Sequence, residues 1–186
     1  MTALVVLGIL ALAAVWAIVS YNRLVSLRNQ VLNGWRQIDV QLKRRHDLIP
    51  NLVNTVKGAM EFERETLTAV MEARAKAVSA TGPADAGAKE GLLTQALGRL
   101  FAVAENYPVL KSNDNVRMLQ EELAATENKI GFARQFYNDI ATSFNTAQQV
   151  FPTNLVAGAF GFKPSELFEI TNEAERVVPV VDFSRE

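Results

Sequence analysis

The densest group of chemically capable side chains in this sequence is Lys43-Arg44-Arg45-His46-Asp47, which contains the only histidine. An imidazole set between cations and a carboxylate has the parts of a general base with its orienting acid, or of an anion-binding patch. The companions that catalysis needs are missing. A di-metal site in a helical bundle takes a Glu-x-x-His pair from each of two helices, and one histidine cannot supply both. Zinc bound by Cys and His fails in the same way, because the chain has no cysteine. A Ser-His-acid triad would depend on His46 with no nucleophile elbow in the chain. Thr81 to Gly91 lacks both the flanking strand and the Gly-Lys-Ser/Thr ending of a phosphate loop. No catalytic residue, metal or cofactor is therefore expected. Lys43, Arg44, Arg45 and His46 are read as an interaction patch for anionic lipid or an acidic partner, or more simply as a solvated basic face paired with Asp39 or Asp47.

Asparagine supplies the second group. It is a poor helix former, yet Asn51, Asn54, Asn138 and Asn145 lie in segments of helical apolar spacing. When buried, such side chains need partners: each other, or a carbonyl such as that of His46, which Pro50 leaves without its helical donor. Asn51, Asn54, Arg134, Asn138 and Asn145 are the candidate structural polar network, and its expected role is to fix the register of the bundle.

These groups must be carried by helices, and the first begins in a membrane. Residues 3–19 are unbroken apolar sequence, including Ala3, Gly8, Ala13, Trp16 and Val19. The stretch from Met1 to Val19 spans roughly 28 Å as a helix, close to the ~30 Å of a bilayer core. A cleaved signal peptide would want a basic amino-terminal region, and nothing before Arg23 is charged except the terminal amine. Residues 1–20 are thus a retained anchor. Trp16 and Tyr21 suit its interfacial belt, and Ala13 with Ala17 offers a small-x-x-x-small contact. Arg23, Arg28 and Arg36 all follow the span, so the amino terminus is expected outside and residues 21–186 in the cytoplasm.

Beyond the anchor, Leu24, Leu27, Val31, Trp35, Ile38, Leu42, Ile49, Val53, Val56 and Met60 step by threes and fours, the pattern of a helix seam. The reading is a long helix over about 21–79 kinked near Pro50, a loop near 80–87, and a helix over about 88–106. A long helix over about 113–151 follows, capped from Ser112-Asn113-Asp114 and carrying an apolar seam from Val116 to Phe151. The tail, 152–186, holds an apolar piece at Leu155 to Phe162, a short helix near Pro164 to Asn172, and an extended end at Val177 to Phe183. The fold class is all-α: a single N-terminal transmembrane helix continuing into an antiparallel helical bundle of long helices. Residues 20–60 carry seven basic against two acidic residues, leaving the remainder net acidic. With a pI near 5.9, a nucleic-acid surface is not expected.

The segment Tyr21-Asn22-Arg23-Leu24-Val25-Ser26-Leu27-Arg28-Asn29 resembles the LemA family. The likeness tightens from Asn33-Gly34-Trp35-Arg36-Gln37-Ile38-Asp39 through Arg44-Arg45-His46-Asp47-Leu48-Ile49-Pro50-Asn51-Leu52-Val53-Asn54 to Gly58. It returns at Tyr107-Pro108-Val109-Leu110-Lys111, at Ala133-Arg134-Gln135-Phe136-Tyr137-Asn138, at Phe144-Asn145, at Phe151-Pro152 and at Pro179-Val180-Val181-Asp182-Phe183. Gly34 stands where the family pattern leads one to expect alanine. The resemblance implies a bacterial envelope protein in the inner membrane, with one amino-terminal span, a bundle usually in the cytoplasm, and no established enzymatic activity. It further implies links to membrane remodelling and to a membrane zinc protease as a possible partner. The function expected is a non-enzymatic, membrane-anchored scaffold or interaction protein that self-assembles as a homo-oligomer. The alternative is a receptor-type ligand-sensing bundle outside the cytoplasm.

Overall fold

The first helix, α1 (Thr2–Lys57), runs for 56 residues without a break, roughly 84 Å. Met1 to Val15 are exposed all round, and the most apolar window has a mean hydropathy of 2.7 with none of it buried, so this part is long and apolar enough to cross a membrane. From Ser20 the same helix becomes one-sided, burying Leu24, Val31, Ile38, Leu42, Ile49, Leu52 and Val56 along a single stripe. This computed structural model describes residues 1–169.

The break expected at Pro50 falls instead at residues 58–63, where the chain turns around the fully buried Met60. The long helix expected over 21–79 is therefore two helices, α1 and α2 (Arg64–Val78), folded against each other. A helical proline is costly chiefly because the carbonyl four residues earlier loses its donor. Here Arg74 of α2 supplies one, its Nε donating to the His46 carbonyl at 2.6 Å. The lost backbone bond thus becomes a tie between helices. Arg74→Met should remove that donor and lower stability by about 1–3 kcal/mol, measured by denaturant melts; a loss confined to a few tenths would show that water serves the carbonyl equally well.

The third helix, α3 (Gly82–Ala104), starts earlier than the expected 88–106, because Thr81-Gly82-Pro83 ends one helix and begins the next. Pro83 sits in the first turn, where no backbone donor is needed, and Asp85 accepts from the Thr81 backbone N–H at 2.8 Å. A single turn, α4 (Pro108–Lys111), leads to α5 (Asp114–Gln149), whose Asn113 cap accepts from the Asn115 and Val116 backbone N–H groups. The last helix is the short α6 (Thr153–Ala159).

α1 and α5 form an antiparallel spine: Gly34 lies against Tyr137, and Arg45 meets Glu127. The α2–α3 hairpin packs on its upper half, making an up-down-up-down bundle. One core, with Ile49, Met60, Val70, Leu93 and Leu100, fills the end far from the apolar span. The other, with Leu24, Ile38, Tyr137, Phe144 and Phe168, fills the near end. Each such side chain contributes about 1.5–3 kcal/mol through burial. At Gly34 an added Cβ would meet Tyr137 at 3.5 Å, ordinary contact, so the departure from alanine is sterically mild.

Candidate functional site

The basic cluster divides between surface and interior because successive helical residues point about 100° apart. Lys43 and Arg44 face solvent, with Arg44 paired to Glu122 across the spine. Arg45 and His46 are buried, at 3% and 8% exposure, so the four side chains do not form one exposed patch. Their partner is Glu90 of α3, itself 1% exposed. Arg45 Nη1 donates to Glu90 Oε2 at 3.0 Å, and His46 Nε2 is hydrogen-bonded to Glu90 Oε1. Arg45 further reaches Thr94 Oγ1 at 2.8 Å and Glu127 Oε2 at 3.1 Å. Neither Asp39 nor Asp47 takes part.

One basic helix is thereby cross-linked to α3 through Glu90, whose two oxygens are both engaged, and to α5 through Glu127. Such a group holds three helices in one register, since any slide breaks several charge-assisted bonds together. The outer edge of His46 lines a crevice of about 310 Å³ with Trp35, Asp39, Lys43, Asp47 and Arg74. No group of three or more metal-ligating side chains occurs among the described residues.

The asparagines do different work from that expected of them. Asn51 and Asn54 are exposed on α1. The antiparallel register places Tyr137 and Asn138 beside Gly34, some seventeen residues or about 25 Å away from Asn51, so the two pairs cannot meet. Arg134 is half-buried and makes no hydrogen bond to another described residue. Asn138 and Asn145 instead read the backbone of residues 162–169, an extended strap lying along α5. Asn145 donates to the Ser165 carbonyl and accepts from the Ser165 N–H, both at 2.8 Å. Asn138 does the same with Phe168, at 3.1 and 2.9 Å. Tyr137 adds a hydrogen bond from its hydroxyl to the Glu166 carbonyl at 2.7 Å.

The spacing has a geometric basis. Seven residues of helix and three of extended chain each cover about 10 Å, so asparagines one heptad apart meet strap residues three apart. These side chains occupy the strap's backbone groups, which explains why residues 164–169 are not the short helix expected there; the remainder of that element and the extended end at Val177 to Phe183 lie outside the described residues. The strap's other side rests on α3 at Gly87, where any Cβ would run into the Glu169 carbonyl. Phe168 closes the arrangement, fully buried, with its ring 5.9 Å from that of Trp35. Sequence reasoning found Asn138 and Asn145, and placed Tyr137 on the apolar seam without its hydroxyl's role, but missed Glu90, Thr94 and Arg74; of these only Glu90, an acid at an otherwise apolar helical position, left a signal.

Burial raises the Tyr137 hydroxyl above the ordinary value of 10.0, and the charge of Glu166 adds to the effect. The folded state then holds this proton more tightly than the unfolded chain. Its contribution to stability is complete below pH 10 and is lost as pH climbs through the raised value. Thermal melts of the wild type should therefore weaken more steeply above pH 10 than those of Tyr137→Phe. Parallel curves would show that the strap contact does not titrate.

The chain as a whole is similar to known proteins. The family model described as the LemA family matches residues 34–183, which include both the Arg45-His46 pair and the asparagine clamp. The magnetosome protein MamQ 2 of Paramagnetospirillum magneticum is 28% identical over 90% of this chain and 72% of its own length. A protein LemA of Metamycoplasma hominis is 30% identical over 84% of this chain and 71% of its own. MamQ of Magnetospirillum gryphiswaldense is 27% identical over 80% of this chain and 64% of its own. With the family model spanning most of the sequence, this chain belongs to the LemA family.

Proposed function

We propose that this protein is a non-enzymatic, self-assembling scaffold of the bacterial inner membrane, with its amino terminus outside and its bundle in the cytoplasm. One observation carries the proposal: the apolar span and the bundle's first helix are the single helix α1, with no linker between them. A rigid joint of this kind fixes how the bundle stands on the bilayer, so neighbouring copies present the same face at the same height. An apolar face is available at mid-height on the spine, where Leu32, Val40, Phe132 and Phe136 are exposed, with Arg36 and Lys129 beside them. The buried polar groups support a structural role, because Glu90 is engaged by Arg45 and His46.

Mass photometry of full-length protein extracted with its native lipids tests the assembly. Defined oligomers are expected for the wild type, and a shift toward monomer for the Phe132→Glu, Phe136→Glu double variant. A wild-type monomer at all concentrations would end the scaffold reading. Alkaline phosphatase fused to the carboxyl terminus should be inactive; activity would place the bundle outside and favour ligand sensing.

A further inference from the structure

From Ile140 to Phe162 the chain carries no Asp, Glu, Lys, Arg or His, and only part of this stretch is taken up by the bundle core. Its first part is the end of α5, and its second part is the turn and α6. Val156 and Ala157 of α6 are buried, while Val150, Phe151, Leu155 and Phe160 stand exposed, with Phe151 at 74% and Phe160 at 64%. Water-facing aromatic and aliphatic residues in such a tight group mark a contact with something apolar.

The position of the group identifies the contact. Val156 and Ala157 belong to the core against which Trp16, Ala17 and Tyr21 of α1 pack. The Phe160 ring lies 4.7 Å from that of Tyr21, and the Phe162 ring 5.8 Å from it. Trp16 and Tyr21 are the aromatic pair at the end of the apolar span, where such rings settle at the membrane–water boundary. α1 is unbroken here, so whatever depth Trp16 takes also sets the depth of α6. Arg23 and Lys163 are exposed at this end, and the Arg28 guanidinium lies 5.4 Å over the Phe162 ring. Basic residues just above an apolar surface suit anionic headgroups.

We propose that α6 and the Val150-Phe151-Pro152 turn form a second membrane contact, an interfacial foot seated in the headgroup–acyl boundary beside the last turn of the span. Its partner is the lipid surface, and the inference rests on reading the amino-terminal part of α1 as membrane-spanning. The foot occupies the level of Trp16 to Tyr21, a band about 7–8 Å deep, comparable to the 5–10 Å to which interfacial helices sink. Held at two points, the bundle cannot swivel about the anchor. The apolar face at Val40 and Phe132 lies differently, since Val40 follows Val19 by some 30 Å of helix and stands clear of lipid.

The chain lacks cysteine, so single labels report cleanly. Full-length Leu155→Cys, Phe132→Cys and Val5→Cys, each carrying an NBD fluorophore, are placed in phosphatidylethanolamine–phosphatidylglycerol vesicles with nitroxide lipids of graded depth. All three positions are exposed, so the label does not disturb packing. The expected result is blue-shifted emission at Leu155 that loses most of its intensity to shallow nitroxides, deep quenching at Val5, and no quenching by any nitroxide lipid at Phe132, whose face meets water or a second copy. Water-like emission at Leu155 with Val5 still deeply quenched overturns the foot and leaves the span intact. Blue-shifted emission at Leu155 that no nitroxide lipid quenches also overturns it, in favour of contact with a second copy. Water-like emission at Val5 overturns the span and the foot together.

Discussion

Glu90→Leu should destabilise the bundle by about 3–5 kcal/mol, because it removes one carboxylate and leaves two buried basic side chains without their shared acceptor. Arg45 and Glu90 are 3% and 1% exposed, so water cannot replace the lost partner at Arg45 without opening the α1–α3 contact. Glu127 reaches Arg45 as well, but it is half-exposed and serves only one of the two nitrogens that point inward. For a chain of this size the loss corresponds to a fall of roughly 10 °C in melting temperature. The surface pair Arg44–Glu122 makes the internal contrast: both partners are substantially exposed, and breaking it should change stability by about 0–1 kcal/mol. Burial, and not charge, separates the two cases. The triple change Arg45→Met, His46→Leu, Glu90→Leu should recover most of the loss, because replacing a whole buried ionic group with apolar side chains removes the desolvation penalty along with the attraction. Denaturant melts of the four proteins decide the matter; a Glu90→Leu loss below about 1 kcal/mol would mean that the cluster is hydrated and carries little register information.

Phe168→Ala is the second large effect, at about 3–5 kcal/mol. Phe168 is fully buried between α5, α3 and Trp35, although it comes from an extended segment and not a helix. Its removal leaves a cavity that the strap cannot collapse to fill, since Asn138 holds the same residue's backbone through both its N–H and its carbonyl. Asn138→Ala and Asn145→Ala should each cost less, about 1–3 kcal/mol, because the released backbone groups can turn to water. Hydrogen exchange gives a second measurement: Phe168→Ala should lose protection across the near-span half of the bundle, around Leu24 to Ile38 and Tyr137 to Phe144, while the far core around Leu93 to Leu100 stays protected. Uniform loss of protection would show that the two cores unfold as one.

Much of this architecture was legible because it depends on local pattern. The threes-and-fours spacing from Leu24 onward describes the buried stripe of α1, and the seam from Val116 to Ala147 follows α5, since helical period alone decides which side chains share a face; Phe151, expected to end that seam, lies beyond α5 and is exposed. Pro50 was misleading for a specific reason: its cost was visible, but the donor that offsets it, Arg74, comes from another helix. Arg45 and His46 looked like surface because their four polar neighbours Lys43, Arg44, Asp47 and Asp39 do face water.

By itself the sequence determined a long apolar span, its uninterrupted run into an amphipathic helix and an all-helical bundle, all of which follow from composition and short-range periodicity. Only the tertiary structure decided what the polar residues do. Glu90 lies 45 positions from Arg45, Arg74 lies 28 from His46, and Phe168 lies 30 from Asn138. Hydrogen bonds and ion pairs act over about 3 Å, so their partners are chosen by how the helices come together, and no local run of residues encodes that choice.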